Sequence, residues 1–264
     1  MKSLENCRDI EAAGFAIRLI FHQAGLPGSI ELPFPSAGRN RTPASVINIY
    51  SQQSAGRKKN AAAGKATISG EGEYEGAFNL HSRTGRINLD GPDNTAILIN
   101  FLTQIFARLV VAGKGIMLHS ACVIRQNKAY LFYGASGAGK STVCRFSPGC
   151  PIASDDLTAV RKIRGHFQAW GIPQMDRFPA PAKYGPYPIG GLFKLVKDRK
   201  TALSRLDSAT AVASAMALRK NESERGTIGK TLALLGELTD HVPAYELHFK
   251  KDISFWKCIV SELK

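Results

Sequence analysis

The sequence lacks any charge-free apolar run of the about eighteen residues that a bilayer span needs, so no membrane span is expected. It also lacks a Cys-x-x-Cys pair. Cys7, Cys122, Cys144, Cys150 and Cys258 form an odd, scattered set, which argues against a disulfide framework or a zinc site and for reduced thiols in a cytoplasmic protein. The stretch Met1 to Asp9 mixes charges and the apolar patch after it is broken by Arg18, so it does not read as a signal peptide. No internal repeat is visible. Acids are scarce: 21 Asp and Glu face 35 Lys and Arg, a net +14 at pH 7. Such an excess implies an anionic partner, whether nucleotide, acidic peptide, nucleic acid or membrane surface, without choosing among them.

What is present suits an ordinary folded protein. The 264 residues, 44% apolar and 21% charged, exclude wholesale disorder and allow one large domain or two modest ones. Residues 1–92 read as a β-rich region, with strand-like runs at 14–21, 45–50, 66–80 and 86–89 and a hairpin turn at Ser82-Arg-Thr-Gly85. Between them, 33–43 and 52–65 read as loops or partly disordered segments. Pro92-Asp93-Asn94 signals a helix start, and Leu98, Phe101, Leu102, Ile105, Phe106 and Leu109 recur on one helical face. The domain boundary is placed just before it, giving a second domain over 93–264. There, strands are expected at 116–124, 129–133, 157–163, 166–169, 191–196 and 244–249, and helices at 208–219, 228–240 and 253–263.

Gly134-Ala-Ser-Gly-Ala-Gly-Lys-Ser141 satisfies G-x-x-x-x-G-K-[ST] at every position. It follows an apolar strand and precedes the helix-compatible Ser141-Thr-Val-Cys144. Glycines let the backbone wrap a phosphate with successive N–H groups pointing inward. Lys140 reaches the outer phosphates as a point charge, and the Ser141 hydroxyl is a Mg²⁺ ligand in such loops. Gly134, Ser136, Gly137, Ala138, Gly139, Lys140, Ser141 and Thr142 are therefore the expected nucleotide-binding residues.

Asp155-Asp156 follows Lys140 by only 15 residues. A brief helix ending near Ser147-Pro-Gly149 would bring the next strand, and the two acids at its end, back beside the phosphates. One acid would hold Mg²⁺ and the other take a proton from an attacking hydroxyl; the residues alone leave the division open. His119 comes from the strand before the loop and is a further candidate.

The ordered set Leu118-His119-Ser-Ala, Gly134–Ser141, Ser154-Asp-Asp156 and Trp170-Gly-Ile-Pro173 resembles the catalytic domain of HPr kinase/phosphorylase. It is most similar to the HPr-kinase-related proteins of peptide-maturation cassettes, the lasso-peptide kinases and the SynChlorMet cassette protein. Val242-Pro-Ala-Tyr-Glu-Leu-His-Phe249 with Phe255-Trp256 resembles the end of those proteins. Phosphoenolpyruvate carboxykinase shares the wider arrangement of histidine, loop and paired aspartates. The likeness covers roughly residues 93–264.

The resemblance implies an α/β, P-loop HPr-kinase-like (phosphoenolpyruvate-carboxykinase-like) core with a β-rich N-terminal region. It also implies an ATP–Mg²⁺ site and transfer of the γ-phosphoryl group to a serine hydroxyl of a peptide or small protein. Carried over by motif, Lys140 and Ser141 contact phosphate and metal. Asp155 becomes the proton acceptor, Asp156 a metal ligand, and His119 a catalytic-centre residue. Trp170-Gly-Ile-Pro173 would turn the chain near the nucleotide. The sequence has no match to the Arg-containing signature that HPr kinase uses with its protein substrate, which speaks against HPr as acceptor and against the phosphorylase reaction.

For the kinase reading, residues 1–92 are the expected docking surface for an acidic peptide substrate, by strand addition. Two alternatives come from other classes. A nucleotide-regulated peptide-binding cassette protein would instead bind ATP with little or no turnover. Nucleic-acid binding would draw on Arg39–Arg41, Arg57–Lys59 and Lys197–Lys200, but these clusters are short and dispersed and no reader motif accompanies them, so no specific nucleic-acid partner is expected. Arg177, Arg219 and Arg225 read first as solvated surface charges, with a place beside the substrate as the alternative. The sequence is compatible with a homo-oligomer and does not specify one.

Overall fold

Two β-sheets organise the chain, one in each of two compact units, Met1–Leu109 and Val110–Lys264. The computed structural model describes residues 6–23, 25–38, 41–51, 67–70, 74–89, 93–174, 178–179, 181, 183–217 and 228–263. The class is mixed α/β.

The first sheet has six strands: β1 (Cys7–Ala12), β2 (Phe15–Phe21), β3 (Ser45–Tyr50), β4 (Thr67–Gly70), β5 (Tyr74–Asn79) and β6 (Thr84–Asn88), in the order β1-β2-β3-β6-β5-β4. β2, β3 and β6 run parallel and the other pairs antiparallel. Alternation makes the face: Ile17, Leu19, Phe21, Ile47, Ile49, Phe78 and Ile87 are buried. β1 has no counterpart in the sequence reading, because its charges hide the same alternation. Ile10 and Ala12 point inward, while Asp9 faces Arg18 across the ladder and pairs with it at 2.7 Å. Part of the expected loop at 33–43 is tied to this strand, through Glu11 N to Pro35 O and Ala37 N to Asp9 O. The hairpin turn falls at 80–83, two residues ahead of the expected place, since Thr84 and Gly85 already belong to β6. The expected loop at 52–65 lies outside the described residues.

A short helix, α1 (Leu26–Ser29), lies between β2 and β3. Helix α2 (Asn94–Ala112) follows β6, with Leu98, Phe101, Leu102, Ile105, Phe106 and Leu109 all fully buried. The compact division falls inside this helix, not ahead of it, because its rings pack within the first unit. Phe106 meets Phe34 at 5.3 Å, and Phe101 lies against Gly76, where any side chain would collide with it. α2 is long and apolar enough to cross a bilayer by length and composition, yet 56% of its most apolar window is buried within the protein, as in a core helix.

The second unit contains β7 (Gly115–Arg125), β8 (Lys128–Tyr133), α3 (Lys140–Arg145), β9 (Ile152–Ser154), β10 (Leu157–Ile163), β11 (His166–Gly171), β12 (Tyr187–Lys197), β13 (Ala202–Arg205), α4 (Ser208–Met216), α5 (Ile228–His241), β14 (Ala244–Phe249) and α6 (Ser254–Glu262). The strand order is β11-β10-β7-β8-β12-β14-β13, with β9 also on β7 and β11 pairing back to the start of β12. β8, β12 and β14 are parallel, so their C-terminal ends share one edge. Strand alternation builds two cores. Ala129, Leu131 and Tyr133 face α4 and α5 through Ala211, Ala215, Leu235 and Leu238. Tyr130 and Phe132 face α3 and α6 through Val143, Cys144, Phe255, Trp256 and Ile259. Helices therefore cover both faces of the sheet.

Trp170 and Gly171 do not form the turn expected of them. They extend β11 in register with Ala159 and Thr158, and a Cβ on Gly171 would collide with the Ala153 carbonyl of β9. Glycine is needed there for two strands to approach.

Candidate active site

The site is built across the two edges of one strand, β7. On one edge Ser120 pairs with Tyr133, the last residue of β8, so the Gly134–Lys140 loop springs from beside Ser120. On the other edge Ser154 of β9 faces Cys122 and Leu157 of β10 faces His119. The register is the same on both sides of the break, which leaves Asp155 and Asp156 as a bend opposite Ala121 and Ser120. With neighbouring strands about 4.8 Å apart, loop entry and acid bend stand about 10 Å apart, within reach of side chains from each.

Ser154 shapes the bend. Its Oγ accepts from the N–H groups of Leu157 at 2.9 Å and Asp156 at 3.3 Å, the local arrangement in which a serine stands in for a backbone carbonyl. The run Ser154-Asp-Asp156 marks this serine without assigning it a role. The signal was there, as Ser followed by two acids and a strand.

Within the loop, Gly137 and Gly139 have φ of 76° and 115°, a region open to glycine and costly for other residues. Gly139 has a second constraint, since the Phe249 ring at the end of β14 occupies the space a Cβ would need. α3 then starts with Val143 N donating to Gly139 O at 2.9 Å. Lys140 is 8% exposed, and its Nζ donates to Gly134 O at 2.9 Å and Ala135 O at 3.3 Å. The ammonium is thus held over the loop's own entrance.

The acids divide between two partners. Ser141 Oγ donates to Asp155 Oδ2 at 3.4 Å, linking the start of α3 to the acid bend. Asp156 Oδ1 lies 2.7 Å from His119 Nε2, in a pair whose side chains are 26% (His119) and 37% (Asp156) exposed. Lys140, Ser141, Asp155, Asp156 and His119 therefore converge on one edge of the sheet. It is Asp155, not Asp156, that meets Ser141. No cluster of three or more His, Cys, Asp or Glu side chains suited to a metal occurs among the described residues. The donor set beside the loop is instead a hydroxyl and carboxylates, hard oxygens of the kind Mg²⁺ shares with phosphate and water. Arg177, Arg219 and Arg225 lie outside the described residues.

Cys122 and Cys144, near the site, are buried. Burial, with the Asp155 charge second, pushes the Cys144 thiol up to about 12, and burial raises that of Cys122 as well. All five cysteines are free. No protein-family model matches the chain, and no curated protein matches it.

Proposed function

We propose that the chain is an ATP–Mg²⁺-dependent phosphotransferase of the HPr-kinase-like kind. Its acceptor is a hydroxyl, a serine on a peptide or small protein, in the maturation of a ribosomally made peptide. The observation that carries this reading is the placing of two acids in one register break on β7, one at the loop serine and one at His119. A chance Gly-Lys-Ser turn has no reason to meet a second, separately encoded acidic bend.

Phosphoryl transfer needs positioning and charge neutralisation more than covalent chemistry. Lys140 exchanges its contacts with the loop carbonyls for the outer phosphate oxygens. Ser141 and Asp155 would hold Mg²⁺, which when bound would supply charge neutralisation for the transferred phosphoryl group. This gives Asp155 the metal and Asp156 the proton, the opposite of the roles carried over by motif. Asp156, oriented by His119, accepts the acceptor's proton as its oxygen bonds the γ-phosphorus and the bond to the bridging oxygen breaks, releasing ADP. Free thiols throughout fit a reducing cytoplasm.

The test is incubation with ATP, Mg²⁺ and the peptide encoded beside the protein, read as a mass gain of one phosphoryl group. Asp156→Asn should bind nucleotide and transfer about 100- to 10,000-fold more slowly. Full turnover by that variant would overturn the mechanism, and ATP binding with no phosphorylated product for the unaltered chain would leave a nucleotide-regulated binding protein.

A further inference from the structure

The positive charge is unevenly placed. Residues 110–264 hold 23 Lys and Arg against 12 Asp and Glu, while residues 1–109 hold 12 against 9. Within the second unit, part of the excess gathers where the parallel strands end. Lys197 closes β12 opposite Phe249, the residue whose ring underlies the phosphate loop, and Lys250 and Lys251 follow directly. Between β12 and β13 the bend at 198–201 adds Arg199 and Lys200.

That bend is a built one. Asp198 Oδ1 accepts from Arg199 N at 2.6 Å and Lys200 N at 3.3 Å, and Oδ2 lies 2.9 Å from His248 Nδ1. Thr201 Oγ1 bonds Ser254 Oγ at 2.8 Å. The backbone is fixed while Lys197, Arg199, Lys200 and Lys251 are exposed, with no carboxylate partner among the described residues. Loose surface lysines need no such scaffold.

The bend leads into β13, the last strand in the sheet order, which pairs with β14 and is largely exposed. An edge strand offers a row of backbone N–H and C=O groups to another strand. Cations along such an edge repel a second copy of the same chain and admit an acidic strand. Rings suited to stacking nucleobases are missing from the strip, since Tyr245, Phe249, Phe255 and Trp256 are buried.

We propose that β13 and the cationic bend 197–200 are the docking strip for an acidic, extended peptide segment, the part of the acceptor that flanks its phosphorylated hydroxyl. This rests on the phosphotransferase reading for what is phosphorylated, though not for the binding itself. The segment adds as a strand to β13 and sets its acids against Arg199 and Lys200, while Lys197, at the end of β12, faces the residues that lead toward the phosphate loop. An added strand lies four places from β8, about 19 Å, so about six extended residues separate the docked segment from a hydroxyl at the phosphate loop.

The probe is a fluorescein-labelled peptide of alternating Glu and Val, joined through a glycine spacer of about six residues to one serine. Binding to the full chain is read by anisotropy, with ATP–Mg²⁺ affinity measured separately. The triple variant Lys197→Gln, Arg199→Gln, Lys200→Gln should weaken peptide binding about tenfold or more while nucleotide affinity stays within about twofold. Methylating alternate backbone nitrogens of the probe should weaken it similarly. Equal binding by the triple variant, equal binding of the methylated probe, no binding of the probe at all, or tighter binding of single-stranded DNA would each overturn the proposal. If the probe binds as expected but neither it nor any other hydroxyl is ever phosphorylated, the docking strip stands and the phosphotransferase reading falls.

Discussion

The ring of Phe249 lies where a side chain on Gly139 would have to be, so the last residue of β14 sets the floor of the Gly134–Lys140 loop. Gly139→Ala must move that ring and accept a φ of 115°, at a cost of about 1–3 kcal/mol. Nucleotide affinity should fall more than tenfold. Phe249→Leu in the same chain should restore part of it, measured by calorimetric titration; a second substitution that makes binding worse would show that the ring is not the obstacle.

Asp155 and Asp156 should separate in assay. Asp155→Asn is expected to weaken the Mg²⁺ dependence of nucleotide binding. Asp156→Asn should leave binding within a few-fold and lower transfer by about 100- to 10,000-fold. Identical behaviour of the two variants would mean that the carboxylates do not divide the work.

Ser154→Ala removes the acceptor that two N–H groups share at the acid bend. A stability loss of about 1–2 kcal/mol in urea is expected, together with a fall in kcat at nearly unchanged KM for ATP. Ser154→Thr, which keeps the hydroxyl, should recover most of both.

His248 gives the second unit a pH signature. Hydrogen bonds that the His248 ring donates to Asp198 and Glu246 raise its pKa above the ordinary value, so the folded chain holds a proton that the unfolded chain releases. That contribution is whole below about pH 6.5 and is lost as pH rises through the folded value. Glu246, held low chiefly by Lys194 and then His248, works oppositely: its share is present above its ordinary value and lost on acidification. Urea midpoints for the unaltered chain should therefore drop relative to His248→Gln between about pH 6 and pH 8. Parallel curves would reject the assignment.

Much of this molecule can be read from its residues, unevenly. The long strands of the second unit and α5 and α6 follow from apolar runs and helical spacing, and the loop from its glycines. β13 escapes such reading because Ala-Leu-Ser-Arg is a strand only by virtue of pairing with β14. β1 escapes because alternating charges look like a polar terminus until Ile10 and Ala12 are seen to share a face. In the site, the acids are legible as a pair, but which of them meets Ser141 depends on a cross-strand register no local pattern encodes. Trp170-Gly171 misleads for the same reason, as its glycine answers to Ala153 on another strand.

Because β7 carries one partner on each margin, the separation between lysine and acids is measured across a ribbon rather than along the chain. Extra residues inserted at 146–151 would lengthen the detour and leave that crossing unchanged. One residue deleted from 119–122 would instead turn half of the assembly to the far side of the sheet.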